Sequence, residues 1–328
     1  MSVHPVDFLK GDHPLFSPER CINRKQRRVV CSRCSEICPT GVFSMKSGQQ
    51  VDWTRCVDCG ICVANCPTRC FSHSGTAKKR LYEECDRQKP FVFACRKNEN
   101  RADVRVRCLA ALPWELLAVC AMRDGIALRM DLCGTCGESA RKACLEENLE
   151  SLRAFFGDRQ ERVRILTEAE KTESAETEEP EKRLTRRGLL AGLGQSAAGI
   201  VLRAASERLP FSEDAEEDGL LYRRLLTAAV QRETEEDPNR RYTVSLPWFN
   251  VQCSACGICE KICPNQAIRI VREESGNSLI CLTPWKCSAC GLCVRLCLKG
   301  GLSGMHGVRV PCLTEVPLVR IERSTPHD

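Results

Sequence analysis

Between Cys253 and Cys297 eight cysteines fall into two runs, C-x-x-C-x-x-C-x-x-x-C-P and C-x-x-C-x-x-C-x-x-x-C. Such spacing puts three thiols on one tight loop, aimed at one face of a polynuclear iron-sulfur group. In the paired form of this pattern the fourth thiol of each run serves the other run's group. The expected sets are therefore crossed: Cys253, Cys256 and Cys259 with Cys297, and Cys287, Cys290 and Cys293 with Cys263. Each fourth thiol is expected to start a helix leading away from the group. Pro264 follows Cys263, where a fixed φ and a missing N–H suit a chain turning off the site. Leu298 stands there in the second run. Zinc and disulfides are the competing uses of these thiols. Tetrahedral zinc draws four ligands from two pairs and leaves the third thiol of each run without a role. Eight thiols within 45 residues also suit a metal better than bridges.

This segment resembles the bacterial two-cluster [4Fe-4S] ferredoxins, a likeness that implies two four-iron clusters. The amino-terminal region repeats the plan with a defect. Its second run is complete, with Cys56, Cys59, Cys62, Cys66 and Pro67, but the first reads Cys31, Cys34, Cys38, Pro39, with Arg28 at the place of the first thiol. Three explanations compete: Cys21 reaches in across a nine-residue insertion, the site holds a three-iron cluster, or the cluster is absent. Cys21 is favoured, because nothing else in the sequence accounts for a cysteine just upstream. The expected sets are Cys56, Cys59, Cys62 and Cys38, and Cys31, Cys34, Cys66 and Cys21. Cys70 takes the place of Val42 and Ala267 and reads as a buried core thiol.

Residues 81–167 differ in kind. Phe91–Cys95, Val104–Cys108, Ile126–Asp131 and Val163–Leu166 read as strands, with helical patterns at Pro113–Arg123 and Glu138–Phe156. Strands alternating with helices argue a small parallel sheet. Cys95, Cys108, Cys133 and Cys136 fall at strand ends or adjoining loops, so a parallel sheet gathers them at its carboxyl edge. F-A-C at Phe93–Cys95, V-R-V-R-C at Val104–Cys108 and C-G-T-C at Cys133–Cys136 resemble the delta subunit of methyl-viologen-reducing hydrogenase. That likeness implies a [2Fe-2S] cluster, although Asn98 stands near the family's second cysteine. Zinc and unliganded thiols remain the alternatives. Cys85, Cys120 and Cys144 have no partners at ligand spacing, and Cys120 reads as core.

The expected architecture is an α+β / α/β multidomain chain. Two ferredoxin-like 2[4Fe-4S] modules, 1–80 and 246–328, flank a small parallel α/β domain at 81–167, an acidic linker at 168–182 and a helical bridge at 183–245. In the bridge, Arg186 and Arg187 resemble a twin-arginine export signal, but their position far from the amino terminus favours a docking helix. A stronger helix follows, with Leu221, Leu225 and Ala229 beside Leu226 and Val230 as its stripe and Arg223, Arg224 and Arg232 expected to face out. The tail from Met305 is expected to supply closing strands.

Cysteine makes up 26 of 328 residues, and the opening residues show no secretory pattern, which places the thiols in a reducing cytoplasm. No run approaches the ~20 apolar residues of a membrane span. The formal charge of +6 leaves out the clusters. Each with four thiolates carries about −2 when oxidised, so four or five reverse the sign. With aromatics at only 5%, nucleic acid is a poor partner. No catalytic residue is assigned, since neither a dinucleotide loop nor a nucleophile-base pair is evident. The expected function is electron transfer by a polyferredoxin with three to four [4Fe-4S] clusters and a further [2Fe-2S] candidate. The resemblance implies a hydrogenase or heterodisulfide-reductase-like partner in an anaerobe. The alternatives are an oxidoreductase with a substrate site in the middle domain and an iron-sulfur redox sensor.

Overall fold

The computed structural model describes residues 14–25, 30–44, 50–72, 91–136, 139–166, 220–274, 276–314 and 316–321. The acidic linker, the first bridge helix with Arg186 and Arg187, and Cys85 lie outside the described residues.

The amino-terminal elements are β1 (Leu15–Phe16), α1 (Arg33–Ile37), β2 (Phe43–Ser44), β3 (Gln50–Val51), α2 (Ile61–Asn65) and β4 (Phe71–Ser72). Two antiparallel ribbons result, β1 with β4 and β2 with β3. Strands this short bury little, so aromatic rings supply the core. Phe71 lies 5.0 Å from both Phe16 and Phe43, and Trp53 meets Phe43 edge-on at 5.9 Å.

The middle region contains β5 (Phe91–Cys95), β6 (Val104–Val106), α3 (Trp114–Asp124), β7 (Ile126–Arg129), α4 (Ser139–Phe156) and β8 (Val163–Leu166). All four strands are parallel in the order β6-β5-β7-β8. Only eight residues join β5 to β6, fewer than the dozen or so a parallel crossover usually takes. Side chains stabilise this turn. Arg105 donates to the carbonyls of Asn98, Glu99 and Asn100, and the Asn98 and Asn100 amides donate to Asp131 at 3.1 and 2.9 Å. Asn98 therefore holds the β5–β6 turn against the loop after β7. Helix α3 is buried along most of its length, from Leu116 through Met122, as befits a helix covered on both sides.

The covering element is α5 (Leu221–Glu236), followed by β9 (Tyr242–Phe249), α6 (Ile258–Ile262), β10 (Ile268–Arg272), β11 (Ser278–Leu282), α7 (Leu292–Arg295), β12 (Leu302–Val310) and β13 (Val316–Ile321). The carboxyl-terminal end repeats the amino-terminal plan at larger scale. Antiparallel β9 and β12 bracket the two runs, while β10 and β11 lie between them and gain β13 from the tail. Leu221, Leu225, Leu226 and Val230 of α5 are buried as the stripe predicted, Ala229 is half-buried, and Tyr222, outside that stripe, is buried as well. Arg223 corrects that prediction. Its side chain is 12% exposed and pairs with Glu115, while Arg224 and Arg232 do face solvent.

One apolar core runs through all three regions. Ile37 and Ile61 join it from the amino-terminal end, and Phe155 of α4 stacks on Tyr242 of β9 at 4.9 Å. Glu233 of α5, 8% exposed, pins that junction. It accepts from Tyr242 at 2.6 Å, Arg162 and Arg240 at 2.7 Å, and Arg159 at 3.1 Å. Burial opposes its charge, but Tyr242, Arg240 and Arg162 hold the carboxyl down at about 2, against 4.5 for an ordinary glutamate. A depressed folded value makes the stabilisation complete above about pH 4.5 and removes it as pH falls toward 2. Glu233→Gln is expected to cost roughly 2 kcal/mol between about pH 5 and 8, with solvent screening at its open edge included. The gap to wild type should close on acidification below about pH 4.5. Thermal unfolding across a pH series checks this, and a gap that widens in acid refutes it.

Candidate iron-sulfur centres

Three of the four cysteine runs share one backbone conformation. In each, the residue before the second thiol and the residue after it have positive φ: Asp58 (50°) and Gly60 (72°), Ala255 (49°) and Gly257 (83°), Ala289 (53°) and Gly291 (69°). For Asp58 and the two alanines this left-handed region costs of order 1–3 kcal/mol each, and such strain collects at functional sites. What it achieves is amide direction. The Asp58 N–H points at the Cys56 sulfur at 3.4 Å, and while burial raises the Cys253, Cys287 and Cys290 thiols, the amides of Ala255, Ala289 and Leu292 oppose that rise.

The fourth thiol departs from expectation. It does not begin a helix: Cys38, Cys66 and Cys263 cap the carboxyl ends of α1, α2 and α6, and Cys297 lies two residues past α7. The third thiol instead lies within the short helix, of five residues in α1, α2 and α6 and four in α7, and the fourth follows the helix end. Three residues on, the chain again turns through positive φ, at Gly41 (64°), Arg69 (57°), Gln266 (52°) and Gly300 (68°). The next amide then donates back to sulfur, from Val42 to Cys38 at 3.4 Å, Cys70 to Cys66 at 3.3 Å and Ala267 to Cys263 at 3.2 Å.

The thiols gather in crossed groups. Burial pushes Cys293 up to about 12, and Cys287, Cys290 and Cys263 add to the rise. Burial likewise raises Cys253, with Cys297 and Cys256 beside it, and takes Cys259 to about 11 next to Cys253 and Cys256. In the amino-terminal half burial raises Cys62, with Cys59, Cys56 and Cys38 around it. Cys34, pushed by burial to about 12, stands with Cys66, Cys31 and Cys21. Among the described residues no three His, Cys, Asp or Glu side chains close to the spacing of a single metal ion. Crowded, half-buried thiols with amides aimed at sulfur fit a larger iron-sulfur group. Such a group would favour the thiolates, and the amides aimed at sulfur would offset its negative charge.

The defective run is built differently. Ser32 takes the place of the left-handed glycine with φ of −116°, and Asn23 organises the loop. Its Oδ1 accepts from the Val30 and Cys31 amides at 2.9 and 3.1 Å, and its Nδ2 donates to the Cys31 carbonyl at 2.7 Å. Asn23 lies two residues after Cys21, so the clamp brings Cys21 to Cys31 across the insertion. Sequence reasoning missed it, although Asn bonding nearby backbone is its usual turn chemistry. Cys70 is buried as expected, but its sulfur lies 3.2 Å from Cys66. Its hydrogen bonds lower Cys66 to about 6 and Cys21 to about 7, while Cys70 itself is pushed far up by donating to Cys21 and Cys66.

In the middle region Cys95 ends β5, Cys108 follows β6, and Cys133 and Cys136 lie in the loop after β7. They share the carboxyl edge of the sheet. Burial pushes Cys133 up to about 12, with Cys95, Cys108 and Cys136 adding to the rise. Of the remaining described thiols, Cys120 and Cys144 are buried in α3 and α4, Cys281 is buried in β11, and Cys312 accepts from the Thr314 hydroxyl at 3.1 Å.

Residues 252–300 match the 4Fe-4S dicluster domain, and residues 50–72 match the 4Fe-4S binding domain. The chain is an iron-sulfur electron-transfer protein. It is similar to NADH-quinone oxidoreductase subunit I 2 of Geobacter metallireducens, at 26% identity over 100 residues, which covers 27% of this chain and 70% of the relative. No solved structure matches. The domain matches lie in the two ferredoxin-type ends and do not extend into the parallel sheet between them. Among the described residues no helix is long and apolar enough to cross a membrane.

Proposed function

We propose that the chain is a polyferredoxin-type relay passing single electrons between a donor and a reductase or hydrogenase-type complex. Four-iron clusters, when bound, supply one-electron oxidation and reduction. The residues that would hold them are Cys253, Cys256, Cys259 and Cys297; Cys287, Cys290, Cys293 and Cys263; Cys56, Cys59, Cys62 and Cys38; and Cys31, Cys34, Cys66 and Cys21. Cys95, Cys108, Cys133 and Cys136 would hold a further, two-iron group. The observation that carries this reading is the same pair of left-handed residues in three separate runs, a conformation found, among the described residues, only within a C-x-x-C-x-x-C run.

The Asn23 clamp supports Cys21 as the displaced ligand. Cys21→Ser is therefore expected to remove or degrade one four-iron signal while leaving the other three. Electron paramagnetic resonance with iron and acid-labile sulfide counts on anaerobic protein checks this. Wild type should hold about sixteen to eighteen irons. A Cys21→Ser spectrum and iron count identical to wild type would show that Cys21 is no ligand.

One cavity favours a second reading, an oxidoreductase with its own small-molecule site. About 330 Å³ lies between α3, α4, α5 and the Cys287 loop, lined by Trp114, Glu150, Trp285 and Ser288 among others. Turnover of a small oxidant or reductant without an added protein would favour it over the relay.

A further inference from the structure

The thiol groups do not stand in the order in which the chain visits them. Within each ferredoxin-type end the two groups adjoin, for Cys62 feels Cys66 and Cys293 feels Cys259. Between the ends, Arg295 of α7 makes the junction. Its Nη1 donates to the Val30 carbonyl at 3.0 Å and its Nη2 to the Cys290 carbonyl at 3.3 Å. Its charge acts on both Cys31 and Cys290. A second clamp runs through the middle region. Glu115 accepts from Arg69, three residues after Cys66, and from Arg223, which also donates to the Cys287 carbonyl. On the far side of the amino-terminal end, Asn65 of α2 donates to the Ala110 carbonyl at 3.1 Å. There the Cys59 thiol acts on Cys108, and Arg141 acts on both.

We infer that the relay is a single row, folded out of chain order and joined at its centre by Arg295. The row runs from Cys95, Cys108, Cys133 and Cys136 to the Cys59 group, then the Cys31 group, then the Cys290 group, and ends at the Cys256 group. Each end opens to solvent. Cys256 is exposed, as are Val251, two residues before Cys253, and Leu298, directly after Cys297, at 102% and 85%, and Gly134 and Thr135 are exposed at the other end. Arg295 is a positioning residue. Its fork reaches carbonyls from two modules and places one positive charge between two thiolate groups, a task a point-charge lysine performs less well.

This inference rests on the relay reading, so its test must separate the two. In dithionite-reduced full-length protein, neighbouring paramagnetic clusters broaden one another's resonance signals. Arg295→Ala should keep wild-type iron and sulfide while losing the interaction between the Cys31 and Cys290 groups. Cys293→Ser should remove the inner carboxyl-terminal cluster and leave the Cys256 group isolated at the end of the row, with a narrow, non-interacting signal. A broadened Cys256-group signal in Cys293→Ser would overturn the order, and unchanged interactions in iron-loaded Arg295→Ala would overturn the positioning role of Arg295; either result leaves the relay reading intact. An iron-free but folded wild-type chain would overturn both.

Discussion

Glu115→Ala should destabilise the protein by roughly 3–5 kcal/mol, the usual cost of leaving a buried ion pair without one partner. Glu115 sits in the first turn of α3 with its side chain 1% exposed, between Arg69 and Arg223, each 12% exposed. Burial opposes its charge, yet the two guanidinium groups outweigh that and hold the carboxyl below the usual glutamate range. Alanine would strand both cations in the seam where the three regions meet. Because Arg223 also holds the Cys287 carbonyl, iron should be lost in step with unfolding. Glu115→Gln keeps the shape and part of the hydrogen bonding, so it should fall between wild type and alanine. Anaerobic denaturation followed by both visible absorbance and circular dichroism measures the effect. A loss under about 1 kcal/mol would mean the guanidinium groups find solvent instead, as surface pairs do.

Glu115 also shows where the sequence stops being legible. Cysteine spacing made both ferredoxin-type ends readable, because a ligand set is written locally and its geometry follows from a few residues. Apolar periodicity likewise located β5, β7, β8, α3 and α4 to within a residue or two, since each buries one face against the same core. Long-range polar contacts leave no such trace. Nothing near Glu115 in the chain distinguishes it from a solvated glutamate at a helix start, a favourable place for one in any helix. Its partners lie 46 and 108 residues away. Arg223 was expected to face solvent for the same reason, because a helical wheel shows the stripe but not what covers its flank. Asn23 acts through the amides of Val30 and Cys31 and the Cys31 carbonyl, and Arg295 through the carbonyls of Val30 and Cys290. The fourth thiols were misplaced on their helices because spacing alone does not say whether a short helix precedes or follows a ligand.

Gly301→Ala should cost the protein its outermost carboxyl-terminal centre. Gly301 takes the place of Val42, Cys70 and Ala267 in the other runs, yet it alone needs to be glycine. A methyl group there would lie 2.6 Å from the Cys253 Cα and 2.9 Å from its backbone nitrogen. No real Cβ tolerates that contact, and the opposing atoms are main chain, so one strand must move. Both sides are tied, since Asn250 donates through its backbone to the Gly301 carbonyl at 3.0 Å and through its side chain to the Gly300 carbonyl at 2.8 Å. The displacement therefore falls on Cys253, the first thiol of its group, and on Cys297, four residues upstream of the substitution. Iron should drop by about four per chain, the content of one four-iron cluster, while the groups around Cys31, Cys59 and Cys290 keep theirs. Gly300 makes the control. Its φ of 68° makes alanine strained there, but a methyl group meets only the Gln252 side chain, at 2.9 Å, which can rotate away. Gly300→Ala should therefore lower stability by about 1 kcal/mol and keep its iron. Full iron in Gly301→Ala would mean that β9 and β12 separate more easily than their bonds imply, and that the Cys253 loop is held by its cluster rather than by the strands.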